Sequence, residues 1–523
     1  MVENLNYTEN MKLSGGHSGR TLTRNTFLNF VGRAVPMVVG FFAIPLLIKG
    51  LGTERFGILT LIWLVIGYFG IFDMGVGRAN TKFTAEYLAL NEREELGHLI
   101  WTSLFLMFSC GIIAGISVYL LTPILVGRIL NVPPTLIIET RQAFYLMATG
   151  IPLMLITAGS RGVLEAQQRF SLINGIQMPA GIITFISPLL VLHFSNNLVP
   201  IIMIILAIRF LVCLTFLYYC IRSLPELNWP RKPKLSYAKK VLRFGGWLTV
   251  CNIIGPIIVN LDRFFIGSLL TMEAVAYYVT PYQVASQLWI IPQSLAPVVF
   301  PAFSAYSVGQ QDKVISLLQK GVKYVFLLLA PITVVVIVLA NPFLSLWIGT
   351  DFARISTPIL QLLAVAVLIN SIGQIPYSAI EGMNRPDLIA KLHLLEFPIF
   401  LGLLWFCILK LGLIGAALVW LFRAIVTTFV VFWIARRLVP SRKPSGLKIK
   451  ARFIIGTTLL IIGLYFSAMT PSLSTKIAFL TAIIIGLGVL SWLYILDDSE
   501  KEKLYLIKSN TLGLFMDLIK LFG

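Results

Sequence analysis

Chemistry in this chain has to come from ionisable residues stranded inside apolar runs. Arg209 and Arg423 sit near the centres of two such runs, and Arg33 lies about two turns into another. Asp262 and Arg263 share a fourth run and Glu396 lies in a fifth, while Asp73 and Arg78 bracket Gly75-Val76-Gly77 at the end of a sixth. A charge at the middle of a membrane span costs several kcal/mol unless something compensates it. Guanidinium groups suit phosphate because their planar fork donates two parallel hydrogen bonds. Arg33, Arg209, Arg263 and Arg423 are therefore the candidate substrate-binding residues, for a diphosphate in a cationic cavity. Asp73, Asp262 and Glu396 are the candidates for ion coupling or gating, by taking a proton or sodium ion or by exchanging salt-bridge partners. Each has a plainer reading: Arg33 and Arg78 can snorkel to headgroups, and Asp262 and Glu396 can serve helix packing alone. Arg209 and Arg423 are too deep to snorkel easily.

Catalytic motifs are missing. The chain has no HExxH, no GxSxG and no Walker A sequence, and Gly75-Val76-Gly77 lacks the third glycine of a dinucleotide loop. His17, His98, His193 and His393 are scattered and suggest no metal site. Cys110, Cys213, Cys220, Cys251 and Cys407 all fall in apolar runs, are odd in number and read as apolar filler. The expectation is a protein that is not an enzyme and needs no cofactor or metal, with any uphill work driven by an ion gradient or the membrane potential.

The elements that position these residues follow from composition. Of 523 residues, 57% are hydrophobic and only 12% charged, with mean hydropathy +0.86. That is about half the charge of a soluble chain, so the fold class is an all-α polytopic membrane protein. Fourteen apolar runs qualify as spans: 27–48, 56–73, 99–121, 142–160, 172–194, 198–221, 245–269, 281–304, 322–340, 357–378, 388–409, 412–434, 453–469 and 476–495. The net charge of +19 is mostly basic residues in loops and not a nucleic-acid signal. The loops Arg222–Arg243 and Arg436–Arg452 are strongly basic and both follow even-numbered spans, so both termini should be cytoplasmic. Gly513, Asp517 and Lys520 share one stripe of the tail, which reads as an interfacial helix.

The chain also says the same thing twice. Leu164-Glu165-Ala166-Gln167-Gln168-Arg169 recurs as Ile380-Glu381-Gly382-Met383-Asn384-Arg385, and Arg209 with Arg222 recurs as Arg423 with Arg436, all roughly 215 residues on. Glu54 with Glu273, Pro36 with Pro256, Tyr87 with Tyr306 and Pro179 with Pro398 agree with the same repeat. Six spans per repeat give the two halves one orientation, which predicts two pseudo-symmetric six-helix lobes plus two extra C-terminal helices. The divisions are 1–25 (cytoplasmic segment), 26–224 (first lobe), 225–243 (basic linker), 244–437 (second lobe), 438–452 (basic loop), 453–496 (last two spans) and 497–523 (tail).

Several segments resemble a known family. They are Asn25-Thr26-Phe27-Leu28-Asn29-Phe30, Ile44-Pro45-Leu46-Leu47-Ile48-Lys49-Gly50-Leu51-Gly52 running into Phe56-Gly57, and Phe72-Asp73-Met74-Gly75-Val76-Gly77-Arg78-Ala79-Asn80. Val163-Leu164-Glu165-Ala166-Gln167-Gln168-Arg169-Phe170 and Asn260-Leu261-Asp262-Arg263-Phe264-Phe265-Ile266-Gly267 add to them. In order and spacing they resemble the Wzx-type O-antigen and exopolysaccharide flippases of the multidrug/oligosaccharidyl-lipid/polysaccharide (MOP) exporter superfamily. The resemblance implies movement of an undecaprenyl-diphosphate-linked oligosaccharide across the bacterial inner membrane, two lobes around a cationic cavity, and alternating access. It implies membrane lipids, a polysaccharide polymerase and a chain-length regulator as partners, and no nucleic acid. The alternatives are a lipid II flippase and a MATE-like drug or metabolite antiporter, which would favour an acidic cavity. A membrane-embedded glycan polymerase or ligase would need a larger external loop than this chain has.

Overall fold

The computed structural model describes residues 19–490, apart from 69–75, 228–230, 242–259, 440–471, most of 294–310 and the single positions 91, 168, 240 and 384. Asp73, Cys251, the expected span 453–469 and the tail 497–523 lie outside the described residues, as does most of the loop 438–452. The described residues are helical and contain no strand. Among the described residues, seven helices are long and apolar enough to cross a membrane, and the chain is a multi-pass membrane protein.

The first compact unit, residues 1–279, contains α1 (Gly19–Leu51), α2 (Thr53–Tyr68), α3 (Val76–Ala89), α4 (Arg93–Ile124), α5 (Ile137–Ala166), α6 (Phe170–Leu192), α7 (Leu198–Ser223) and α8 (260–269). Helix α9 (Met272–Ser286) begins in it. The turn from α1 to α2 is made at Gly52, whose φ of 79° a side chain would strain. α1 runs along α6, while α5 packs between α4 and α7. The outward face of α4 carries Phe105, Phe108, Ile112, Ile116 and Leu120 exposed. On a soluble protein such a stripe would aggregate; here it is the surface presented to lipid.

Three helices of this unit are tied at their N-terminal ends by one carboxylate. Arg55 on α2 donates Nε to Glu139 Oε1 at 3.0 Å and Nη2 to Oε2 at 3.1 Å. The Leu198 amide of α7 donates to the same Glu139 at 2.7 Å, satisfying a first-turn N–H. At the other end of the unit the basic linker is docked. Arg93 pairs with Glu226 at 3.2 Å, Arg231 with Glu94 at 3.6 Å, and the Lys234 amide donates to Thr102 at 3.2 Å.

The second compact unit, residues 280–523, contains the rest of α9, then α10 (Gln311–Trp347), α11 (Thr350–Gly382), α12 (Pro386–Leu438) and α13 (Leu473–Leu490). α11 packs against both α10 and α12, and α13 against α10. Helix α12 is two spans joined at Gly412, where φ is 61° and ψ is −138°. Fifty-three helical residues would reach about 80 Å, well beyond the roughly 30 Å hydrocarbon core. The limbs 386–411 and 413–438 fold back on each other, with Gly415 against the Cys407 carbonyl.

The two six-residue matches share a local backbone conformation. Gln167 ends α5 at φ −82°, ψ 2°, and Met383 ends α11 at φ −79°, ψ 14°. The Arg169 amide donates to the Leu164 carbonyl at 3.0 Å, and the Arg385 amide to the Ile380 carbonyl at 3.1 Å. Leu164, Ile173 and Phe216 form a small buried cluster. Ile380, Ile389 and Val431 form its counterpart.

Two helical boundaries differ from the hydropathy reading. α9 starts at Met272, not 281, because Thr271 caps it by accepting from the Ala274 amide at 3.0 Å. Glu273, Tyr277 and Tyr278 make that first stretch too polar for an apolar run to register. α3 is a polar helix that no span count includes; Asn80 donates from it to the Gly159 carbonyl at 3.2 Å.

Candidate functional site

The two arginines at equivalent places in the repeat have different surroundings. Arg209 lies on α7 between Leu206, which rests on Gly150, and Cys213, which meets the Thr157 hydroxyl. Residues three and four apart share a helix face, so Arg209 faces α5. It is half-buried, and its Nε makes no hydrogen bond with the described residues. Arg423, on the second limb of α12, is 8% exposed. Its guanidinium lies 5.1 Å from the centre of the Trp420 ring and 5.4 Å from that of Phe400. Desolvated cation–π contacts of this kind offset about 2 kcal/mol of the cost of burying the charge. Trp420 is fully buried and packs in turn on Tyr282 and Trp289. The indole of Trp289 donates to Asn370 at 3.2 Å.

Glu396 joins the Arg423 neighbourhood through Thr427. The Thr427 hydroxyl contacts Glu396 Oε1 and stands 2.8 Å from the Arg423 carbonyl. The other carboxylate oxygen faces His393 Nδ1 at 3.3 Å. The His393 ring in turn lies 6.2 Å from that of Tyr377 on α11. The bend at Gly412 sets this register: Glu396 and Thr427 pair across it from nearly matched positions on the two limbs, as do Phe400 and Arg423.

Asp262 and Arg263 lie on α8, in the first unit. Asp262 is fully buried and accepts from the Tyr278 hydroxyl at 2.7 Å and from the Arg263 amide at 2.8 Å. Arg263 is 8% exposed. Arg33 is on α1, but its side chain lies outside the described residues, as does all of Asp73. Of the seven candidates, Glu396 and Arg423 are thus brought together. His393 and Thr427 were missed, although both carry a helical-spacing signal: His393 is three residues before Glu396 and Thr427 four after Arg423.

A bundle of long apolar helices with charges buried among them defines a polytopic membrane protein. Residues 47–357 match the family described as polysaccharide biosynthesis protein, and the chain belongs to that family. A candidate O-antigen transporter of Shigella flexneri is 27% identical over 418 residues, covering 80% of this chain and 98% of that protein. The lipopolysaccharide biosynthesis protein WzxC of Escherichia coli K12 is 25% identical, covering 76% of this chain and 77% of its own. Among solved structures, an inward-facing MATE multidrug transporter of the MOP superfamily aligns with TM-score 0.66 at 14% identity, over 80% of this chain and 99% of that one. The lipid II flippase MurJ, in an inward closed conformation, aligns with TM-score 0.65 at 14% identity, over 90% and 99%. At such identities the likeness is one of fold.

Proposed function

We propose that this protein is a flippase that moves an undecaprenyl-diphosphate-linked oligosaccharide across the bacterial inner membrane for assembly of a surface polysaccharide. It is a transporter and not a catalyst. The observation that carries the reading is the match to the Shigella flexneri protein along 98% of its length. A candidate low-salt glycan biosynthesis flippase of Haloferax volcanii, 25% identical over 188 residues, agrees with it. The finer features belong to the same proposal: fourteen spans in two six-helix lobes plus two, cytoplasmic termini, and alternating access through a cationic cavity. A polysaccharide polymerase and a chain-length regulator would take over the product.

Within that reading Arg33, Arg209, Arg263 and Arg423 are the residues proposed to bind the diphosphate. Support comes from the recurrence of a deep arginine in α7 and in the second limb of α12. Arg209 is poised for a ligand, with a half-buried fork whose Nε lacks a hydrogen bond among the described residues. Arg423 has its guanidinium beside the Trp420 and Phe400 rings, contacts that help a buried charge to be held in the helix pair. The test is complementation: the gene in a flippase-null strain, with surface polysaccharide read by immunoblot. Restored polysaccharide supports the assignment. Accumulation of lipid-linked oligosaccharide on the cytoplasmic face despite normal insertion would overturn it. Rescue instead of a strain lacking its lipid II flippase would redirect the substrate to the cell-wall precursor.

A further inference from the structure

The C-terminal stretches of α7 and of the second limb of α12 carry the same pattern. On α7, Phe210, Leu214, Tyr218 and Arg222 stand four residues apart and line one helix face. On α12, Ile425, Phe429, Trp433 and Arg437 do the same, about 215 residues on. All of them are exposed. The other sides of the two helices carry the buried residues, Cys213, Phe216 and Cys220 on α7 and Val431 and Ala435 on α12. Each exposed face therefore looks out of its own unit, and on a membrane-spanning helix it meets lipid. The order of residue types follows depth in a bilayer: apolar groups, then an interfacial ring, then a cation in the last turn.

The ring and the cation are joined in both places. Helical side chains lean toward the N-terminus, so each arginine folds back toward the ring four residues before it. The Arg437 guanidinium lies 4.1 Å from the centre of the Trp433 ring. That of Arg222 lies 5.8 Å from the Tyr218 ring, and its Nη1 donates to the Tyr218 hydroxyl at 2.5 Å. Tyr219 packs edge-on against Tyr218, with ring centres 5.3 Å apart. Among the described residues neither arginine meets a carboxylate. A ring contact brings no opposite charge, so both cations stay uncompensated. Arg436, also exposed, adds a further positive charge beside Arg437. A basic residue in a last turn suits the helix dipole by itself. The dipole does not ask for an aromatic partner, yet that partner recurs in each unit, as tyrosine in one and tryptophan in the other.

We infer that Tyr218 with Arg222, and Trp433 with Arg437, form two equivalent sites for the headgroup phosphate of an anionic glycerophospholipid, one in each compact unit. The guanidinium donates to the phosphate oxygens. The ring sits at the glycerol level, and an acyl chain follows Leu214 and Phe210 on α7, or Phe429 and Ile425 on α12. An anionic lipid is preferred because no described carboxylate stands by to meet a headgroup ammonium. Lipid bound at both places pins the ends of α7 and α12 at headgroup level. The inference needs only that these helices span the membrane, and it does not rest on the flippase reading.

Native mass spectrometry of the delipidated full-length protein, titrated with dioleoyl phosphatidylglycerol or dioleoyl phosphatidylcholine, tests it. Wild type is expected to show two strong binding steps for phosphatidylglycerol, each about fivefold tighter than for phosphatidylcholine. Arg222→Gln should remove one strong step and Arg437→Gln the other. Tyr218→Leu and Trp433→Leu leave the charge unchanged and should weaken the same steps. A wild type with no preference between the two lipids overturns the proposal, and that comparison needs no variant to fold. So does a double arginine variant that keeps both strong steps. Loss on removing the arginines with no effect of removing the rings would assign the binding to basic charge alone and overturn the built sites. Undecaprenyl phosphate displacing phosphatidylglycerol from both steps would also overturn it, in favour of a polyprenyl lipid.

Discussion

Glu396 and Thr427 are 31 residues apart in sequence, yet the hydroxyl of one contacts the carboxylate of the other because the helix between them folds back at Gly412. The first prediction concerns that bend. A φ of 61° with ψ of −138° is a region that essentially only glycine enters, at a cost of about 1–3 kcal/mol for other residues. Gly412→Ala should lower the melting temperature of the purified protein. An alanine variant as stable as wild type would mean that the bend tolerates another geometry.

Arg209 and Arg423 should both be required for export. A charge-assisted hydrogen bond is worth about 1.5–3 kcal/mol, so losing one corresponds to about a ten- to hundredfold drop. Arg209→Ala and Arg423→Ala are each expected to reduce surface polysaccharide by that order, with normal membrane levels by immunoblot. Lysine should restore part of the activity at 209. It should restore less at 423, where the flat guanidinium rests on Trp420 and Phe400. Full complementation by both alanine variants would remove the arginines from the mechanism.

The Glu139 tie makes a stability prediction. Glu139→Gln weakens the two-pronged pairing with Arg55 and the acceptor of the Leu198 amide. Arg55 is one-third exposed, so solvent screens the loss, and about 1–2 kcal/mol is expected. A double-mutant cycle with Arg55→Gln, read by thermal unfolding in nanodiscs, should return a positive coupling energy. Additive effects would show that the pair contributes nothing beyond its separate parts.

Topology is open to cysteine labelling. The connection at Gln167 touches the end of α7, where Gln167 Nε2 donates to Ser223 at 2.9 Å, so the 167–169 turn and the basic linker share one end of the first unit. Asn196 is exposed between α6 and α7, at the opposite end. In a background freed of native cysteines, Asn196→Cys should react with an impermeant reagent added to whole cells, and Lys234→Cys only after permeabilisation. The reverse pattern would invert the orientation derived from loop charge.

Much of this molecule was legible without coordinates. The long apolar runs favour helices, because a helix satisfies its backbone in lipid within each segment while a barrel strand would be shorter and alternating. The likeness of Leu164–Arg169 to Ile380–Arg385 was visible, and the turns at Gln167 and Met383 match in backbone conformation. The family was legible too, from short motifs spread between Asn25 and Gly267. The start of α9 was not, since one capping threonine outweighed a polar stretch that hydropathy discounts. Nor was the site's inner wiring. The sequence marks Arg209 and Arg423 as a pair, but only tertiary packing sets Arg423 on two aromatic rings and leaves Arg209 against α5. It marks Glu396 as a buried acid, but His393 and Thr427 become its partners through helical phase and the register of a hairpin. Helix formation and membrane burial are read from neighbours along the chain; which side chains meet depends on one glycine's backbone angle, and that is decided in three dimensions.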